Sequence, residues 1–214
     1  MIELFSADTP NGKKIGIMLE EINFEYKVTK VNLLEGEQFN PEFRKISPFS
    51  KIPVIVDHSN NKEAIFESGA IIQYILDKYG DNGLKPDIHS NEYPYYLQWL
   101  HYCEGMVMPP MNQIVVHTVL LPPDRRDETV LNQAKNLLSK SLSPVNTNLE
   151  GKDYLIGEFS AADCMLGHSC FMANRFGAVS DDMENIKRYV SNIESRPAFQ
   201  KAIALGTESN DPLG

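Results

Sequence analysis

Two short stretches carry residues that could do chemistry. In "FESGAII", Glu67 ends an apolar run and Ser68 opens a helical one. A helix start presents unpaired N–H groups and the positive end of a dipole, which suit a carboxylate. Glu67 beside it suits an ammonium. Together they match the head group of an α-amino acid, although Ser68 could also be no more than an N-cap. In "FSADTPNGKKIGIML", a short apolar segment turns into a helix through Thr9-Pro10-Asn11-Gly12. Thr9 before Pro10 makes a good N-cap and first turn on capping grounds alone. Asn11 and Gly12 are mediocre helix formers, so capping leaves them unexplained. The junction offers a hydroxyl and an amide where a cysteine or tyrosine could have stood.

A third stretch, "SKIPVIV", places Pro53 at the head of a strand, where it breaks no ladder. In a thioredoxin-like fold a proline facing the first strand–helix junction is usually cis. The cis bond turns the backbone N–H and C=O of Ile52 outward, where a peptide-like ligand can pair with them. A trans, purely structural turn is the alternative.

The elements needed to position these residues follow from periodicity. Residues 2–5 read as a strand. Pro10 to Ile22 reads as a helix with Ile15, Met18, Leu19 and Ile22 on one face. Phe24–Leu33 has strand composition, and Pro41–Ser47 looks like a short helix. Pro53–Asp57 and Ala64–Glu67 bracket the turn "HSNNK" as a hairpin. A helix from Ser68 to Tyr79 carries Ile71, Ile72 and Ile75. The order βαβ, helix, ββα predicts a thioredoxin-like α/β domain over 1–81. A polar linker over 82–89 then leads to an all-α domain over 90–214. There, Tyr93–Leu121 is helical but interrupted at Pro109-Pro110. Arg125–Leu149 carries Pro144, Phe159–Gly177 forms a central helix, and Met183–Leu205 holds one or two more. Ser160 and Asp163 form an Asp version of the capping box.

The chain has 214 residues and a formal charge of −9, with basic residues scattered rather than clustered, so a nucleic-acid surface is not expected. No window approaches a membrane span and no signal-peptide pattern opens the chain, so the expected location is the cytoplasm. Cys103, Cys164 and Cys170 show neither CxxC nor metal-ligand spacing. Two of them lie in an apolar stretch, and buried core thiols rather than redox groups are expected. No metal site is predicted.

Five segments, "TPNGKKIGIMLEE", "GEQFNPEF", "SPFSKIPVIVD", "IFESGAIIQYI" and "YLIGEFSAADCMLG", occur in this order and spacing. The chain thereby resembles the cytosolic glutathione transferases over nearly its full length. "TPNG" and "EQF" are most similar to the nu class and to the related yeast prion-forming nitrogen regulator. The resemblance implies a homodimer that uses glutathione as co-substrate, with no permanently bound cofactor, and a small electrophile or disulfide as second substrate. It implies that Glu67 and Ser68 hold the γ-glutamyl end, that the Ile52 backbone before cis-Pro53 pairs with the cysteinyl unit, and that Lys51 and Gln38 reach toward the glycine carboxylate. Ser50 stands where the family usually has glycine or asparagine. Thr9 and Asn11 would donate hydrogen bonds to the glutathione sulfur, with Ser6 and Tyr26 as the other hydroxyls to consider. The acceptor side would be lined by Tyr102, Met106 and Met108. A non-catalytic relative that keeps the same site for binding or regulation is the alternative.

Overall fold

The structure is a computed structural model that describes residues 1–205. The described chain divides into two compact units, one built from residues 1–82 together with 197–205, the other from 83–196.

The first unit is built on a four-stranded sheet in the order β2-β1-β3-β4. β1 (Ile2–Ser6) runs parallel to β2 (Tyr26–Lys30) and antiparallel to β3 (Val54–Asp57), and β3 pairs antiparallel with β4 (Glu63–Phe66). α1 (Gly12–Glu21) makes the β1–β2 crossover, α2 (Pro41–Ile46) precedes β3, and α3 (Ser68–Tyr79) follows β4. This is the thioredoxin-like arrangement expected from the element order. Ile71, Ile72 and Ile75 on α3 and Ile15, Met18 and Leu19 on α1 are fully buried. Each contributes about 2 kcal/mol of burial. β3 is buried along its whole length, apolar from Val54 to Val56 and ending in the buried Asp57.

α1 departs from a simple amphipathic helix. Every residue from Gly12 to Leu19 is buried, including Lys13 and Lys14. The cause is a last helix, α9 (Pro197–Ala204), which packs on α1. A Cβ added at Gly16 would lie 3.7 Å from the Ala202 Cβ. Lys201 pairs with Glu20 at 2.6 Å. Lys13 donates to the carbonyls of Ile203 and Leu205, capping the end of α9 where last-turn carbonyls lack partners. The sequence-based division placed this segment in the helical domain. Its apolar stripe (Phe199, Ala202) says only that something covers it, and the cover is α1.

The second unit holds α4 (Tyr93–Tyr102), α5 (Met108–Val115), α6 (Glu128–Asn148), α7 (Ala161–Arg175) and α8 (Glu184–Glu194). The predicted break at Pro109-Pro110 takes a particular form. A π-helical turn over Cys103–Val107 precedes α5, and the two prolines fall in its first turn, where missing N–H groups are tolerated. α6 starts at an Asp127 cap that accepts from the Thr129 and Val130 amides and passes through Pro144. α7 is buried nearly all round, as its apolar sequence requires. Its capping box forms: the Ser160 amide donates to Asp163 at 2.8 Å. Asp163 also accepts from the Leu155 amide and the Tyr189 hydroxyl. All three cysteines are buried and none is in a disulfide among the described residues. Among the described residues no helix is long and apolar enough to cross a membrane.

Candidate functional site

The sheet register brings the three stretches to one place. Phe5 lies opposite Val54, and Val54 opposite Phe66, so the end of β1, the start of β3 and the end of β4 form one row. One step beyond that row lie the Ser6–Gly12 junction, the Ile52–Pro53 peptide and Glu67.

At the junction, the Gly12 amide donates to both Thr9 Oγ1 and the Thr9 carbonyl at 3.0 Å, closing a turn that leads into α1. The expected N-cap position therefore shifts: Thr9 closes that turn, and Asn11, which makes no capping bond through its side chain, stands at the N-cap. The Thr9 hydroxyl proton meets no protein acceptor among the described residues, so the same group can still donate outward. Ser6 is committed elsewhere: it is buried and its hydroxyl donates to the Gly12 carbonyl at 2.6 Å. Tyr26 is committed too, donating to Glu20 at 3.0 Å near the far end of α1. Burial, then the Glu20 charge, pushes its phenol above the usual range. Asn11 differs. Its Oδ1 accepts from Lys14 Nζ at 2.7 Å, and its NH2 has no protein acceptor among the described residues.

Ile52–Pro53 is cis. Neither the Ile52 amide nor its carbonyl is paired within the described residues. The approach to this peptide is held by buried Ser47, whose hydroxyl accepts the Lys51 amide at 3.0 Å and donates to the Lys51 carbonyl at 2.7 Å. The Lys51 side chain is exposed. Ser50, between them, adopts φ +56°, a left-handed conformation that glycine and asparagine accept more readily.

Glu67 has φ +74°, unusual for a side chain of this size, and its carbonyl accepts the Ile71 amide at 2.9 Å. Its carboxylate is exposed and makes no capping bond, so the first amides of α3 face outward uncapped. Ser68 is buried, with no protein partner for its hydroxyl among the described residues. Strained backbone beside unpaired donors is a pattern of ligand sites.

Gln38 and the expected acceptor-side residues lie as follows. Gln38 sits in a 3-10 turn (Glu37–Phe39), and its amide nitrogen lies 3.4 Å from the Leu33 carbonyl, which takes one of its two N–H groups. Its Oε1 is buried without a partner among the described residues, and the second N–H of the amide can still donate to a carboxylate. On the expected acceptor side, Met108 is core, 1% exposed and 3.6 Å from the Ser169 hydroxyl. Tyr102 donates to the Ser141 carbonyl, while Met106 is exposed. Sequence reasoning also missed Lys14, Lys13, Asp8 and Ser47. Two adjacent lysines in an early helical turn read as a solvated face, yet both are buried. Asp8 is buried against Lys13.

A thioredoxin-like sheet with a cis-proline, uncapped amides at α3 and donors at α1, carried on a chain with a separate helical unit, defines a class of thiol-handling proteins. The family model described as glutathione S-transferase, N-terminal domain matches residues 2–77, and that described as glutathione S-transferase, C-terminal domain matches residues 107–197. The chain belongs to the glutathione S-transferase family. It is 34% identical to the disulfide-bond oxidoreductase YfcG of Escherichia coli, over 99% of this chain and all of that protein. Over a shorter segment, 37% of this chain and 27% of the other, it is 44% identical to the URE2 protein of Debaryomyces hansenii. Among solved structures, a glutathione transferase from Pseudomonas putida, with one glutathione disulfide bound per subunit, superimposes with a TM-score of 0.85. That structure is 29% identical, and the match covers 96% of this chain and 92% of that one.

Proposed function

We propose that this protein binds glutathione at the sheet end described above and activates its thiol, for reduction of small disulfides or for conjugation. The γ-glutamyl carboxylate meets the uncapped amides and hydroxyl of Ser68, and its ammonium meets Glu67. The cysteinyl backbone pairs with the free amide and carbonyl of Ile52 beside cis-Pro53. Lys51 is the cation available to the glycine carboxylate.

The observation that carries the reading is the Asn11 amide, whose oxygen is taken by Lys14 and whose NH2 has no acceptor among the described residues. A thiol with pKa near 8.5 is only a few per cent thiolate at pH 7, and the thiolate is the nucleophile. Lowering that pKa by about two units requires roughly 2.7 kcal/mol of preference for the anion. Hydrogen bonds from Thr9 and Asn11, at about 1 kcal/mol each, and the N-terminal dipole of α1, at about 0.5 kcal/mol, supply that order of magnitude. No protein cysteine is needed, which suits the burial of all three. The E. coli relative's name as a disulfide-bond oxidoreductase and the glutathione disulfide held by the Pseudomonas structure support disulfide reduction ahead of conjugation.

The test is glutathione-dependent turnover of a small mixed disulfide beside conjugation of an aromatic electrophile, with glutathione affinity measured on the same samples. Wild type is expected to turn over the disulfide, and Ser68→Ala to lose about tenfold in affinity, as a lost charge-assisted hydrogen bond does. Tight binding with no turnover of either substrate would mark a binding protein instead.

A further inference from the structure

Lys14 is fully buried in the first turn of α1, and its ammonium lies 2.7 Å from Asn11 Oδ1. A lysine ammonium has only donors, so the atom it meets must be the amide oxygen. The contact therefore fixes which way the Asn11 amide points: oxygen toward Lys14, NH2 away from it. Without the contact the amide can rotate about its last torsion, which is broad and roughly two-fold. Half of those orientations would turn an oxygen, an acceptor, toward an anionic sulfur. A buried lysine is costly to keep, and one placed only to fill space would be replaced without loss by an apolar chain.

We propose that Lys14 is a positioning residue for thiol activation, holding the Asn11 amide so that its NH2 donates to the glutathione sulfur. The inference rests on the reading that this site activates the thiol of glutathione. It gives Lys14 no contact with substrate. The other charges around the junction are Asp8, buried against Lys13 and 3.8 Å from Lys30, and the exposed Glu67 and Lys51. Asp8 and its two lysines occur unchanged in every variant below, so a change at Lys14 is read against a constant background.

The experiment titrates the thiolate absorbance of bound glutathione in wild type, Lys14→Met, Asn11→Ala and the double variant, with affinity measured in parallel. Lys14→Met is expected to raise the bound-thiol pKa by about one unit, a tenfold loss of thiolate below that pKa, while affinity stays within about threefold. In the Asn11→Ala background the same substitution is expected to add less than half of that shift, because the group it positions is gone. Equal shifts in both backgrounds would overturn the proposal, since the lysine would then act by its charge and not through Asn11. An unchanged pKa in Lys14→Met, with wild type depressed, would overturn it as well. A wild-type thiol that is bound but not depressed would instead refute thiol activation itself. Should Lys14→Met not fold, Lys14→Gln gives the same reading. Its side chain is one bond shorter and neutral, and a shift of the same sign, reduced in the Asn11→Ala background, is expected.

Discussion

Gly12 lies so close beneath Ala7 that a Cβ added to it would sit 1.8 Å from the Ala7 carbonyl oxygen. The crowding atom is backbone, and it belongs to the turn that carries Thr9. Ser6 reaches the Gly12 carbonyl from the other side, while Thr9 takes its amide. A poor helix former is therefore required in this first turn by space alone.

Gly12→Ala must push the β1–α1 junction apart. The expected cost is about 3 kcal/mol, at the upper end of overpacking, with glutathione affinity lost alongside. Gly105→Ala, where a Cβ meets nothing within 4 Å, is the control and is expected to be near neutral. Denaturant unfolding of both variants checks the contrast.

Ser50 works in the opposite direction. It holds a left-handed backbone conformation and buries a hydroxyl oxygen that finds no partner among the described residues. Ser50→Gly relieves both at some cost in unfolded-chain entropy, and a net gain of about 0.5–1 kcal/mol is expected in chemical denaturation.

Lys13 joins α9 to the junction through Asp8 and the carbonyls of Ile203 and Leu205. Lys13→Met leaves a buried carboxylate short of a partner, and a loss of roughly 3 kcal/mol is expected. Hydrogen exchange is expected to quicken first over residues 197–205, whereas Lys201→Met, on the exposed side, is expected to cost less than about 1 kcal/mol.

Asp163 sets a pH dependence in the second unit. Burial pushes its carboxyl up to about 6, even though two backbone amides, Tyr189 and Ser160 donate to it. The folded state thus keeps a proton that the unfolded chain releases near pH 4. Stability from this group is full below pH 4 and falls as pH rises to 6, by up to about 3 kcal/mol. Against Asp163→Asn, which cannot titrate, wild type is expected to lose relative stability across that window. A flat difference in unfolding free energy between pH 4 and 6 would contradict it.

Much of this was legible in the chain. Local signals are strong where one element decides the outcome: α3 begins and ends as its isoleucine stripe and Ser68 indicate, and the Ser160–Asp163 box forms as spaced. The β1–α1 turn and the Glu67–Ser68 helix start could be singled out because their residue types fit poorly or serve two purposes. What stayed hidden depends on partners distant in sequence. Nothing near Lys13 or Lys14 announces that α9 arrives some 190 residues later to bury α1 on its second face. That Gln38 spends one amide N–H on the Leu33 carbonyl is equally absent from the sequence pattern. The register row Phe5–Val54–Phe66, which gathers the site, likewise exists only in three dimensions.

The central claim is that a protein without an accessible thiol lowers the pKa of a bound one. The direct measurement is a pH titration of the thiolate absorbance of glutathione bound to wild type and to Asn11→Ala. The account expects a midpoint about two units below the free value near 8.5 in wild type, and a return upward by at least about one unit in Asn11→Ala with binding retained. A saturated wild-type complex whose thiol titrates like free glutathione would contradict it.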